Sequence, residues 1–521
     1  MAVAPAGDSA AYPAAYPAAD PDPVASSGAV GTVEGSLATM VDRRKRIGTL
    51  FVFLLGGALM MTAGSICAAA EPSRPISLHP NNPHYFLFRG RPTVLITSGE
   101  HYGALLNLDF DYLGYLDELH AHGFNLTRTF TGVYCEAPGD FKIKNNPLSP
   151  AQGRLICPWA RSSTPGYSGG GKKFDLNRWD DAYFARLKDL VTEAGRRGII
   201  VELVLFCPFY EDAMWNLSPM KAENNVNGIG KANRTDVYTL KHKDLLAVHE
   251  AVTRKIVGEL EDFDNVYYEV CNEPYFGGVS GQWQDRIIAA IVDAEASFVH
   301  KHLIAQNIAN GSKKIEHSNA AVSIFNFHYA CPPDAVQINY RLGKVIGDDE
   351  TGFRGSGDLV YRTEGWDFII AGGGLYDNLD YSFTPEREDG TAKPDAPGGG
   401  GPTLRRQLSI LKNFIHGFDF VNMAPDNSIL HNRLPEKTTA RALVEKGRQY
   451  AVYVNGEGLK ELVVDLPEGR YGAEWVNTQT GAVDKAETFA HGGGRRTLAV
   501  PGYREDVALR IVKVPSLEPG G

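Results

Sequence analysis

The sequence predicts an α/β fold: a parallel (β/α)8 barrel over residues 71–432, followed by a small antiparallel β-sandwich over residues 440–515. Three observations lead there. Short apolar runs of strand character alternate with amphipathic segments of helical period, the pattern of a parallel sheet. Eight such strands within about 330 residues match a barrel with long loops. Beyond residues 432–439 the period switches to two, and short strands follow between Gly, Pro and Asn turns.

Taken in order, Ile76–His79 and Tyr85–Pro92 read as a short hairpin able to plug the bottom of the barrel, and Thr93–Ser98 as the first barrel strand. An amphipathic helix with Tyr112, Leu116 and Leu119 on one side stops at Gly123, and Asn125–Phe130 is the second strand. The helix Asp180–Arg197 carries Tyr183, Leu187, Leu190, Val191 and Ala194 at helical spacing and feeds the third strand, Ile199–Phe206. Lys243–Leu260 repeats the arrangement and leads into the fourth, which starts at Val266 and ends at Glu273. A helix over Ile287–Val299 precedes a fifth strand at Leu303–Ile308, and Val322–His328 is the sixth. Lys344–Gly347 is a short seventh strand ending just before Asp348, Asp349 and Glu350; Leu375–Phe383 is the eighth, with Leu404–Phe414 as the last helix. The run Gly398–Gly401 reads as a mobile insertion on the loop face. Gln449–Asn455, Leu462–Asp465, Tyr471–Val476, Thr497–Val500 and Val507–Val512 are the sandwich strands.

A net charge of -10 argues against a nucleic-acid partner, since such proteins carry a basic face that replaces phosphate counterions. Residues 1–45 are rich in Ala, Pro, Gly and Ser and are expected to be disordered. Residues 46–70 read as a targeting segment: Arg43–Arg46 supply a positive flank, Leu50–Met61 an apolar stretch, and Ala68–Ala70 a small-residue cleavage pattern. Export to a secreted or periplasmic location is therefore expected, with an uncleaved membrane anchor as the alternative. Cys135, Cys157, Cys207, Cys271 and Cys331 remain, an odd set without C-x-x-C spacing. No metal or other cofactor is expected from that pattern. A Cys135–Cys157 bridge would be compatible with export.

The chemistry concentrates where the fourth strand ends in Asn272, Glu273 and Pro274. Proline cannot donate to a ladder, so pairing stops where Glu273 emerges, at the barrel lip that carries active sites. Glu350 ends the seventh strand on the same face. Two carboxyl groups meeting across a barrel mouth are what glycoside hydrolysis requires, one as acid and one as nucleophile.

With these motifs the chain resembles the cellulase-like clan of retaining (β/α)8 glycoside hydrolases over roughly residues 92–425. The resemblance implies Glu273 as general acid/base, Asn272 as donor to the sugar 2-hydroxyl and Glu350 as nucleophile, with Asp348 as runner-up. It implies that Arg128, in Leu126–Phe130, keeps the nucleophile ionised, and that His328 and Tyr329 orient the carboxylates. Where cellulases carry a Trp after the eighth strand, this chain has Tyr381, which with Trp366 is a candidate sugar platform. Residues 365–374 and the segment around Trp475 are nearer to exported apiosidase-like hydrolases, whose terminal sandwich carries a collagen-binding label without implying a ligand. His101 and Tyr102, after the first strand, could line the same mouth. The expected partner is a carbohydrate; the rival reading is a non-catalytic carbohydrate-binding surface protein on a degenerate barrel. A carboxyl separation of about 6.5–9.5 Å would instead mark an inverting enzyme.

Overall fold

The computed structural model describes residues 74–515, which belong to one compact unit. The targeting segment, the N-terminal extension and Cys67 lie outside the described residues. Among the described residues no helix is long and apolar enough to cross a membrane.

The chain opens with β1 (Ser77–His79), β2 (Asn82–Phe88) and β3 (Arg91–Thr93), a three-stranded antiparallel sheet. The barrel begins with β4 (Leu95–Gly99), helix α1 (Tyr112–Ala121) and β5 (Leu126–Phe130). A hairpin of β6 (Trp159–Pro165) and β7 (Lys172–Trp179) fills the long loop before α2 (Asp181–Arg196) and β8 (Ile200–Phe206). It was not legible in the sequence. A short α3 (Asp212–Leu217) and α4 (Lys243–Glu259) lead to β9 (Val266–Cys271), and α5 (Gly281–Ala294) to β10 (Ile304–Asn310) and β11 (Ile324–His328). A short α6 (Asp334–Asn339), β12 (Val345–Glu350), α7 (Asp358–Ile370), β13 (Leu375–Leu379) and α8 (Pro402–His416) complete it. The eight strands β4, β5 and β8–β13 form one parallel sheet in the order β4-β13-β12-β11-β10-β9-β8-β5.

At the seam between β4 and β5 the Asn125 side chain takes over from the ladder. Its Oδ1 accepts from Ile96 N at 3.0 Å and its Nδ2 donates to Val94 O at 2.9 Å. The floor is apolar. Leu95, Leu126, Ile200, Tyr267, Ala305, Ile324, Val345 and Leu375, one from each strand, pack with Ile76, Phe86 and Phe88 of the N-terminal sheet, which is the expected plug. Two residues further along seven of the eight strands the same face turns polar, with Thr97, Arg128, Glu202, Glu269, Asn307, Asn326 and Asp377, all buried, and the remaining strand, β12, has Gly347 there.

Two boundaries moved for local reasons. α5 starts earlier than its apolar spacing suggests because Ser280 Oγ caps Trp283 N at 3.2 Å. It stops earlier because Glu295 leaves the helix to accept from His302 Nδ1 at 2.7 Å. The run Gly398–Gly401 is packed rather than mobile: Gly399 O accepts from Tyr381 N at 3.0 Å, and a Cβ on Gly398 would lie 1.8 Å from Gly352 O and 2.4 Å from the Tyr381 ring. Only glycine permits that approach.

The C-terminal part is a six-stranded antiparallel sheet in the order β14 (Ala424–Pro425), β15 (Thr439–Glu445), β16 (Gln449–Asn455), β19 (Asp506–Lys513), β17 (Glu461–Val476) and β18 (Val483–Ala499). Leu462, Val464 and Leu466, from the first half of β17, share one core with Val452, Val454, Leu509 and Ile511, so the sheet folds over itself into a sandwich. The segments expected separately at Leu462–Asp465 and Tyr471–Val476 are one long strand. The sandwich is bolted to α7. Arg362 Nη2 donates to Asp506 Oδ1 at 2.6 Å and Glu505 Oε2 at 2.7 Å, and Trp366 stacks on Tyr453 with ring centroids 5.4 Å apart. Trp366, fully buried there, is core and not a sugar platform.

Candidate active site

Glu273 leaves the end of β9 with φ of 36°, and Tyr102 and Tyr329, each in the loop after a barrel strand, have φ of 57° and 53°. Left-handed backbone at three non-glycine residues around one mouth is local strain, of the kind held where geometry matters more than ease. The strain aims all three side chains inward.

Glu273 and Glu350 meet over one imidazole. His328 Nδ1 lies 3.2 Å from Glu273 Oε1 and 3.4 Å from Glu350 Oε1, and the facing oxygens of the two carboxyls are within 4.8 Å of each other. The remaining lone pairs are taken by tyrosines. Tyr102 OH donates to Glu350 Oε2 at 2.9 Å and Tyr329 OH to Glu350 Oε1 at 3.1 Å. Tyr210 OH donates to Glu273 Oε2 at 2.6 Å and Tyr275 OH to Glu273 Oε1 at 3.3 Å.

Burial works against a charge on Glu350, but the His328 ring, then Arg128 and His101, outweigh it and hold the carboxyl at about 2. His328 moves the opposite way: burial disfavours its cation, yet Glu350 and Asp349 hold its pKa well above the usual value. His101 is likewise raised, because Glu136, Glu350 and Glu100 overcome its burial.

The seventh barrel strand differs from expectation. β12 runs through Glu350 instead of ending at Gly347, and its register with β11 slips by one residue: Phe327 pairs with Asp348, and His328 with Glu350. The alternation Val345, Gly347, Asp349 already faces the lumen, and the bulge turns Glu350 inward as well. Two consecutive acids therefore enter the site. Asp348 remains on the other face, where burial and the charge of Glu364 of α7 push its carboxyl well above the usual range, which removes it as the alternative partner of Glu273.

Arg128 has more duties than holding Glu350. Its Nη1 is 3.5 Å from Glu350 Oε2, while Nη2 donates to Glu269 Oε1 at 2.6 Å and Asn272 Oδ1 at 2.7 Å, and Nε sits 3.2 Å from Asp349 Oδ2. Asn272 Nδ2 donates to Tyr210 OH at 2.9 Å, beside Glu273. His101 Nε2 is 3.4 Å from Glu136 Oε2, and its ring centroid lies 5.5 Å from that of Tyr102 and 5.7 Å from that of Tyr381. All the sequence candidates except Trp366 and Asp348 thus converge. The neighbouring Glu100 instead caps the following loop by accepting from Gly103 N and Ala104 N, each at 2.9 Å.

Sequence reading missed Tyr210, Tyr275, Glu136 and the buried Glu202 and Glu269. The last two left a signal, since a Glu inside an otherwise apolar strand must face partners in the lumen. The first three lie outside the strands, where no periodicity marks them. Phe353, also missed, extends the aromatic lining from Tyr381, with centroids 6.2 Å apart.

Among the described residues two groups have metal-like spacing, Glu273–His328–Glu350 and Glu202–Glu269–Asp349. In the first, His328 Nδ1 already lies between the two carboxyls, 3.2 Å from Glu273 Oε1 and 3.4 Å from Glu350 Oε1. In the second, Asn326 Nδ2 lies 2.7–2.9 Å from an oxygen of each acid. Among the described residues the cysteines are free, so the bridge considered above is not formed, and burial pushes the Cys135 and Cys157 thiols up to about 12.

No protein-family profile matches the chain, and no curated protein matches it by sequence. Solved structures do. One from Bacteroides vulgatus, provisionally assigned as a glycoside hydrolase, is 13% identical with a TM-score of 0.62, covering 86% of this chain and 84% of that one. A second, described as a glycoside hydrolase, is 15% identical with a TM-score of 0.57, covering 85% and 97%. A third, a glycoside hydrolase of family 5 from Bacteroides vulgatus, is 15% identical with a TM-score of 0.55, covering 84% and 93%. At these identities the likeness establishes the fold: a (β/α)8 barrel carrying a C-terminal β-sandwich.

Proposed function

We propose that the protein is an exported retaining glycoside hydrolase acting on a poly- or oligosaccharide by double displacement. The observation that carries this reading is the pair Glu273 and Glu350, with facing oxygens within 4.8 Å of each other and His328 Nδ1 between them. Such proximity favours retention, whose carboxyls stand about 5–5.5 Å apart, over inversion at about 6.5–9.5 Å. The glycoside hydrolases among the structural neighbours support the same class, and export rests on the targeting segment of the sequence.

In this mechanism Glu350, kept ionised by His328, Arg128 and His101, attacks the anomeric carbon. Glu273 gives its proton to the departing glycosidic oxygen. The glycosyl ester on Glu350 is then opened by water, whose proton returns to Glu273, and both side chains regain their starting states. Tyr102 and Tyr329 donate to the nucleophile before attack and release it as its charge is consumed. His101, Tyr381 and Phe353 form a wall for the sugar, in keeping with their place beside the carboxyls.

The test is incubation with a panel of plant and microbial glycans, followed by proton NMR of the first anomer released. Retained configuration, abolished in Glu350→Gln, is the expected result. An inverted product would overturn double displacement. Release that persists unchanged in both Glu350→Gln and Glu273→Gln would overturn the site.

A further inference from the structure

Because the bulge in β12 turns Glu350 inward beside Asp349, the site holds one more acid under the nucleophile than the chemistry above uses. Asp349 is fully buried, and its two oxygens divide between two cations. Oδ1 lies 3.4 Å from His328 Nε2, and Oδ2 lies 3.2 Å from Arg128 Nε and accepts from Asn326 Nδ2 at 2.9 Å. The opposite edges of the same two cations reach Glu350, through His328 Nδ1 at 3.4 Å and Arg128 Nη1 at 3.5 Å. Each cation is thus held between Asp349 below and Glu350 above.

We propose that Asp349 is a positioning residue: it grips His328 and Arg128 from the lumen side and so presents their remaining N–H groups to Glu350. The proposal rests on Glu350 being the nucleophile. A count of charge supports it. The Asn326 amide nitrogen has two hydrogens but three carboxyl neighbours, Glu202 Oε1 at 2.7 Å, Glu269 Oε2 at 2.9 Å and Asp349 Oδ2. Burial, reinforced by Asp349, pushes Glu202 well above the usual range and Glu269 to about 7, while Arg128 and His328 overcome burial at Asp349 and hold it below its usual value. Asp349 is therefore the member of the trio whose charged form its surroundings favour most. His328 is faced by Glu273, Glu350 and Asp349; Asp349 is faced in turn by Arg128, Glu202, Glu269 and Asp377, with the hydroxyls of Tyr102 and Tyr267 nearby.

The test follows the protonation of His328 in the full-length chain by nitrogen NMR after histidine labelling, its signal assigned with His328→Gln. The unsubstituted protein should show both ring nitrogens protonated at neutral pH; a neutral ring there overturns the proposal without any change at position 349. In Asp349→Asn the His328 titration should fall by about one unit or more, the usual scale for loss of a neighbouring charge. Glu202→Gln disturbs the same trio without touching His328 and should leave the titration in place. An unmoved titration in Asp349→Asn, or an equal shift in Glu202→Gln, overturns the role. This arm needs no substrate, so failure to find a cleaved glycan would count against the hydrolase reading alone. Where a substrate is found, Asp349→Asn should lower kcat by about 10²-fold with KM little changed, the cost of a misplaced catalytic group.

Discussion

Replacing His328 by Gln tests the electrostatic core of the site. The ring supplies the largest influence that depresses Glu350, acting through Nδ1 at 3.4 Å. A unit-charge pair at that distance, in an effective dielectric of about 20, interacts by about 5 kcal/mol, or roughly 3.5 units at 1.36 kcal/mol each. Arg128 Nη1, at 3.5 Å, stays behind and limits the change, so a rise of about 2 to 3 units is expected. The sign follows from the chemistry. Glu350 must be ionised to attack, so kcat/KM falls as pH drops through its pKa, and a raised pKa moves that fall upward. With Glu350 at about 2, the unsubstituted enzyme should keep its kcat/KM down to the pH at which it unfolds. His328→Gln should show an acid limb at about pH 4 to 5, measured with an aryl glycoside of the sugar found in the panel. An acid limb that superposes on that of the parent enzyme would refute the assignment of His328 as the group that keeps Glu350 charged.

Glu273→Gln should slow glycosides with poor leaving groups by about 10²–10⁴-fold while sparing activated aryl glycosides, which depart without a proton; equal small losses on both, read as kcat/KM, would remove Glu273 as the acid. Arg362→Met strands the buried Asp506 with the Tyr453 hydroxyl, 2.9 Å away, as a remaining donor, and should cost about 3–5 kcal/mol in urea unfolding. Asn125→Leu leaves Ile96 N and Val94 O without the side-chain partners that close the barrel seam. It should cost about 2–6 kcal/mol by the same measurement, each orphaned buried group contributing about 1–3 kcal/mol.

The barrel was legible because its evidence is local. Each strand is a run of β-formers, and each helix repeats its apolar face every third or fourth residue; neither depends on what lies across the sheet. Asp111 and Asp180 start α1 and α2 by accepting from backbone N–H groups within their own first turns. The position of Glu273 at the strand end was also readable, because Pro274 ends the ladder at a known place. Tyr210 and Glu136 were not, since loop side chains obey no period and reach the site only through the path their loops take.

By itself, then, the order of residues determined the alternation of strands and helices, the plug beneath them, the switch to a second sheet, and which strand ends carry acids. The tertiary structure alone decided which of Asp348, Asp349 and Glu350 face the lumen, because a one-residue slip against β11 is a property of two strands and is written in neither. It also decided that Trp366 belongs to the junction with the sandwich, and that Arg128 shares its guanidinium among Glu269, Asn272, Asp349 and Glu350. Periodicity records where a side chain points from its own backbone; the partner it meets there depends on registers and loop paths set by segments far away in the chain.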